Sequence, residues 1–121
     1  LKAYCEPLNS TMLLAEADGC VVGLLGLLGR MLPQEAHVGS LGISVERDHR
    51  GCGIGTRLIE RLFEWAPQHG VRRIEVEAFA NNPDAIRLYQ RLGFEREGVR
   101  RDAVTVDGEY VDAVLLAKLL T

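Results

Sequence analysis

Between Val45 and Leu58 the spacing of apolar residues changes period, and that change limits what the chain can fold into. Before it, residues 12–17 and 21–28 are apolar runs flanking Asp18-Gly19, a pair suited to the positive φ angles of a tight hairpin turn. Residues 29–36, with Pro33, read as a loop. Residues 37–45 then alternate loosely through Val38, Leu41, Ile43 and Val45, the period of a strand. From Ile54 the period becomes helical: Ile54, Leu58, Leu62 and Trp65, joined by Ile59, Phe63 and Ala66, form one apolar stripe. Such a helix lays one face on a sheet. Pro67 is a candidate stop, and Gly70 suits the position just past the helix end.

Residues 71–79 alternate again, Val71, Ile74, Val76 and Ala78 standing against Arg73, Glu75 and Glu77, and predict a strand. A second helix start follows, with Asn82 as N-cap, Pro83 in the first helical position and Asp84 complementing the helix dipole. Ala85, Ile86, Tyr89 and Leu92 supply its buried face, and Gly93 ends it. Residues 94–106 and 109–119 flank Asp107-Gly108 and predict a closing hairpin. The order β-β-β-α-β-α-β-β is expected to give an α/β (α+β) fold: a mixed, mostly antiparallel central sheet flanked by helices. With no repeat, low-complexity stretch or Pro/Ser-rich linker, residues 1–121 read as one domain.

Composition narrows the function classes. At 47% apolar and 26% charged residues, with no apolar run near the ~20 residues that span a bilayer, the chain reads as a soluble protein without a membrane partner. A net charge of −3 argues against nucleic acid, whose binders carry a basic face. Cys5, Cys20 and Cys52 are odd in number and lack CxxC spacing, so neither a disulfide framework nor a metal site is expected, and a reducing cytoplasm fits. The chain opens at Leu1 with no feature of a signal peptide.

The chemistry concentrates in Arg50-Gly51-Cys52-Gly53-Ile54-Gly55, between the end of a strand and the start of an amphipathic helix. The first N–H groups of a helix have no intrahelical partner, and an anion can satisfy them. Three glycines in five residues remove Cβ atoms that would hold a diphosphate off the backbone, and Arg47, Arg50 and Arg57 add positive charge. A tight turn alone would also use these glycines. A P-loop would require Lys then Ser or Thr after the last glycine, where this chain has Thr56-Arg57. A dinucleotide fingerprint requires GxGxxG opening a parallel βαβ unit, and the spacing here is GxGxG after hairpins.

The segment Arg50-x-x-Gly53-x-Gly55, preceded by Leu41-Gly-Ile-Ser-Val45, resembles the cofactor signature of the GNAT family of N-acetyltransferases. Downstream, Asn82-x-x-Ala85-x-x-Leu88-Tyr89-x-x-x-Gly93-Phe94 is similar to that family's other cofactor segment. The resemblance covers about residues 38–97. It implies acetyl-CoA as co-substrate, with the pantetheine arm between the family's fourth and fifth strands on backbone groups of Ile43 and Val45. The pyrophosphate would rest on the amides of Arg50, Gly51, Cys52, Gly53, Ile54, Gly55 and Thr56. Asn82 and Ala85 would lie beside the pantetheine or acyl end, with a simple N-cap as the alternative role of Asn82.

Tyr89 matches the tyrosine that protonates the departing thiolate in this family, a step that needs a proton donor within hydrogen-bond reach. Its alternative role is a core aromatic. For the general base, Glu77 ranks slightly above His37, an imidazole at the start of the third predicted strand; Glu46 is a further candidate, and each could instead be structural. Cys52 has no neighbouring His in sequence and reads as incidental to the chemistry. Family members usually carry another strand and one or two helices before the first hairpin. Only residues 1–11 stand there here, so that segment reads as missing or shortened, leaving acceptor specificity open.

Residues 93–98, Arg100-Arg101 and residues 107–112 look like the branch that acetylates free amino acids, related small amines or ribosomal-protein N-termini. Arg100, Arg101 and Tyr110 are candidates to hold a substrate carboxylate, against the plainer reading of a charged exposed hairpin. The resulting expectation is an N-acetyltransferase acting on a primary amine of a small molecule or peptide N-terminus. The alternatives are a non-catalytic acyl-CoA-binding module and a nucleotide-phosphate binder of another fold. Exposed strands at the closing hairpin make a homodimer a further expectation.

Overall fold

The computed structural model describes residues 9–120, so Cys5 and the opening of the chain lie outside the described residues. The elements are β1 (Thr11–Ala17), β2 (Cys20–Gly29), β3 (Val38–Val45), α1 (Ile54–Gln68), β4 (Arg73–Phe79), α2 (Pro83–Arg91), β5 (Glu95–Val106) and β6 (Glu109–Leu119). Single 3₁₀ turns occupy Pro33–Glu35 and Arg47–His49. The expected class, a mixed and mostly antiparallel α/β arrangement of six strands with two helices, is the one observed, in the expected order. The chain divides into two compact units, with the boundary inside β4 after Ile74.

In the first unit β1, β2 and β3 form an antiparallel meander. Asp18 and Gly19 take φ 52° and 80°, the left-handed pair the sequence called for. Register places Leu13 opposite Leu25 and Ala15 opposite Gly23, and then Leu25 opposite Ile43 and Gly23 opposite Val45. This face receives α1: a Cβ on Gly23 would stand 2.9 Å from the Ile54 side chain and 3.2 Å from Leu58, so glycine permits the close approach of helix to sheet. Leu25, Leu27, Leu58, Ile59, Leu62 and Ala66 are buried there.

The buried residues of α1 all belong to the expected stripe, and its flanks are less covered. Leu58, Ile59, Leu62 and Ala66 are buried, whereas Ile54 and Trp65 are only half-buried. Trp65 instead stacks on His69, ring centroids 4.0 Å apart, and His69 Nδ1 lies 2.8 Å from the Trp65 carbonyl. Pro67 does not end the helix early, because it sits in the last turn, one residue before the final helical position. Beyond the helix, Val71 is fully buried but precedes the strand, which begins at Arg73.

In the second unit the strand order is β4-β6-β5, with β5 and β6 a long antiparallel hairpin closed at Asp107-Gly108. Val76 and Ala78 of β4 and Ala113, Val114, Leu116 and Ala117 of β6 are buried. Helix α2 begins as the sequence predicts, Asn82 Oδ1 accepting from the Ala85 amide at 3.3 Å and Pro83 in the first helical position. Tyr89 is its one fully buried residue and lies against Phe94, ring centroids 5.6 Å apart. Ala85, Ile86 and Leu92 are half-buried.

Candidate functional site

The glycine-rich loop leaves β3 through a 3₁₀ turn in which the His49 amide donates to the Glu46 carbonyl at 2.9 Å. Arg50 is extended, and its Nε donates to the Val45 carbonyl at 3.0 Å, tying the loop back to the strand that delivers it. Gly51 and Gly53 then take φ 81° and 82°, a left-handed backbone costing a residue with a side chain about 1–2 kcal/mol. A Cβ at either would meet no atom within 4 Å, so it is the backbone angle that requires glycine here.

Gly53 is the N-cap of α1, and no side chain caps the helix. Its carbonyl accepts the first helical bond, from the Arg57 amide at 3.0 Å. Among the described residues, no backbone amide from Gly51 to Thr56 donates to a protein acceptor. The first turn of α1 holds no acidic residue, while Arg47, Arg50 and Arg57 are exposed around it. A row of unsatisfied donors at the positive end of a 15-residue helix is an anion-binding arrangement. Cys52 is exposed within it, a free thiol whose Sγ lies 3.9 Å from the Arg50 carbonyl.

The strand residues expected beside the pantetheine are Ile43 and Val45, both half-buried and in regular register with Leu25 and Gly23 of β2. The Val45 carbonyl is already taken by Arg50 Nε, a contact that the sequence reading missed and that only the curl of the loop creates. His37, one candidate base, is exposed just before β3, and its carbonyl accepts from the Arg72 and Arg73 amides at 2.8 and 3.0 Å. Glu46 Oε1, on the further candidate base, lies 3.5 Å from His49 Nδ1, an i,i+3 pair across the 3₁₀ turn.

In the second unit, Tyr89 is 6% exposed. Burial raises the pKa of its phenol above the usual tyrosine value, so it holds its proton through the neutral range. Asn82 is exposed and spends its Oδ1 on the Ala85 amide, leaving its side-chain amide uncommitted by that cap. Glu77, the other candidate base, is engaged: Arg100 Nη1 donates to Glu77 Oε1 at 2.7 Å. Arg101 is exposed, and Tyr110 is 73% exposed near the hairpin tip. Arg100 opens a shift in the β5–β6 register that runs to Val104; within it Asp102 takes φ 49°, and its amide donates to Asp112 Oδ1 at 2.8 Å. Among the described residues no group of His, Cys, Asp or Glu is placed to hold a metal ion.

Residues 1–94 match the family model described as the acetyltransferase (GNAT) family. The chain belongs to the acetyltransferase (GNAT) family. It is similar to the L-amino acid N-acetyltransferase AaaT of Escherichia coli, 35% identical over 108 residues that make up 88% of this chain and 67% of that protein. It is also similar to the N-alpha-acetyltransferase RimI of Mycobacterium tuberculosis, 38% identical over 78% of this chain and 58% of that one. Among solved structures, a GNAT-family acetyltransferase from Streptococcus pneumoniae superposes with a TM-score of 0.92 at 27% identity, covering 99% of this chain and 72% of that one. The chain thus spans about two thirds or less of the two curated relatives. Acetyl transfer is the activity the family's description names, and the solved structure of yncA from Salmonella typhimurium, similar in fold, holds acetyl-CoA as its cofactor. No helix among the described residues is long and apolar enough to cross a membrane.

Proposed function

We propose that the chain is an N-acetyltransferase that moves the acetyl group of acetyl-CoA directly to a primary amine, of a small molecule such as an amino acid or of a peptide N-terminus. The observation that carries this reading is the run of amides from Gly51 to Thr56 that donate to no protein acceptor among the described residues, at the mouth of α1. They are spaced to grip a diphosphate, with Arg47, Arg50 and Arg57 adding charge. Ile43 and Val45 would run beside the pantetheine arm, and Asn82 and Ala85 beside its acyl end.

The chemistry follows from charge. Only a neutral amine attacks a thioester, so the incoming ammonium gives a proton to a base, directly or through water. Glu77 is the carboxylate proposed for that step, and His37 the second candidate. The amine nitrogen then bonds to the acetyl carbon, the carbon–sulfur bond breaks, and the thiolate takes the phenolic proton of Tyr89. Burial keeps the proton on the ring at neutral pH, so Tyr89 enters the step in the protonated form that the role needs. The acylated nitrogen gives its second proton to the tyrosinate, directly or through water, and Glu77 releases the first to solvent. The cytoplasm belongs to the same reading, which the free, exposed thiols of Cys20 and Cys52 support. So does a homodimer through the exposed strand β5, which sedimentation would check.

The test is acetyl-CoA-dependent thiol release against amino acids, polyamines and peptide N-termini, in wild type and Tyr89→Phe. The expected outcome is turnover in the wild type and a 10²- to 10⁴-fold loss of kcat in the variant, on the order of what a positioned proton donor contributes, with CoA affinity nearly unchanged. Tight CoA binding without turnover of any acceptor would replace this reading with that of a non-catalytic acyl-CoA module.

A further inference from the structure

We infer that the Glu77–Arg100 pair is the acceptor-recognition element, and that it selects a free α-amino acid, whose ammonium and carboxylate match the two charges. This rests on the acetyltransferase reading and narrows its acceptor. The pair joins β4 to β5 across 23 residues of sequence, Arg100 Nη1 to Glu77 Oε1 at 2.7 Å, and neither partner is buried: their side chains are 55% and 45% exposed. An ion pair so exposed contributes little to stability. What it offers is a cation beside an anion, both open to solvent, with guanidinium donors and a carboxylate oxygen that take no other partner among the described residues. An α-amino acid carries the complementary charges on groups attached to one carbon. Its carboxylate would take the fork of Arg100, and its ammonium the second oxygen of Glu77.

The backbone under the pair is held in an unusual form. The β5–β6 register breaks between Arg100 and Val104, and Asp102, which is not glycine, sits at φ 49°. Asp112 of β6 holds the break through its carboxylate, which accepts the Asp102 amide at 2.8 Å, while its carbonyl accepts the Ala80 amide at 2.8 Å just past β4. Bulges and strained non-glycine residues collect where a strand must aim a side chain, and here the break begins at the arginine. A peptide N-terminus has no α-carboxylate for Arg100, and a polyamine would meet its cation with another. The same contact gives Glu77 its place beside the ammonium whose proton must leave.

The experiment compares kcat/KM for the twenty common L-amino acids and for the carboxamides of those that react, in wild type, Arg100→Gln, Arg100→Lys and Glu77→Gln. Wild type is expected to prefer the acid over its amide by at least about tenfold, the scale of one charged hydrogen bond. Arg100→Gln should erase that preference by lowering the acid alone, and Arg100→Lys should restore part of it, with KM for acetyl-CoA unchanged throughout. Glu77→Gln should lower both acid and amide. The inference is overturned if wild type uses acid and amide equally, if Arg100→Gln lowers both alike, or if only polyamines or peptides react. In those cases the acetyltransferase reading survives. If no acceptor reacts, calorimetry of leucine and leucinamide on the CoA-loaded protein decides: equal or absent binding ends the inference, and the missing turnover separately ends the parent reading.

Discussion

Tyr89 carries two arguments that point the same way, the residue type at its motif position and the burial that keeps its phenol protonated. That burial has a consequence for stability. Below about pH 10 both folded and unfolded chains hold the phenolic proton, so the group adds no pH dependence there. Above it the unfolded chain loses the proton first while the folded chain, with its raised pKa, still binds it. Stability therefore falls as pH rises through the window between the two values, by at most about 1.4 kcal/mol per pH unit for one group. Urea unfolding between pH 9 and pH 11 should show this decline in wild type and a shallower one in Tyr89→Phe; parallel curves would mean the phenol is solvated. The identity of Tyr89 as buried aromatic was legible from the helical spacing of Ala85, Tyr89 and Leu92. The engagement of Glu77 by Arg100 was not, because no local pattern links residues 23 apart.

At the scale of elements, the sequence announced starts and stops through chemistry that acts within a few residues. Asn82, Pro83 and Asp84 predicted the first turn of α2, and Asn82 Oδ1 caps it as expected. Removing that cap through Asn82→Ala should lower the unfolding free energy by about 1 kcal/mol, read from the urea midpoint at unchanged slope. A loss of coenzyme affinity beyond that would assign Asn82 its second role as well. The ranking of residues within the apolar stripe of α1 was out of reach of periodicity. Ile54, Phe63 and Trp65 fit the stripe as well as Leu58, Ile59, Leu62 and Ala66, and packing left the first three half-buried and the other four buried. The break in β5 was also hidden, since Arg100, Arg101 and Asp102 read as an ordinary charged strand surface and only pairing with β6 reveals the slipped register.

At the scale of the whole molecule, the folded chain is proposed to be stabilised by its co-substrate, and a ligand that binds only the native state raises the melting temperature by mass action. CoA at a hundredfold excess over its Kd should add about 2.7 kcal/mol, a rise on the order of 10 °C for a chain of this size. ATP, which shares the diphosphate but lacks the pantetheine arm, should raise it much less; an equal or larger shift with ATP would favour the nucleotide binder over the acetyltransferase. The sequence alone determined the order of strands and helices, the two turn pairs, the glycine loop at the mouth of α1 and the family those segments belong to, because each is written in neighbouring residues through propensity, capping and backbone angle. Tertiary structure decided which members of the α1 stripe are most deeply covered, how Arg50 folds back onto Val45, and that Glu77 meets Arg100. Those outcomes depend on packing and pairing between segments distant in the chain, for which a single sequence carries no local signal.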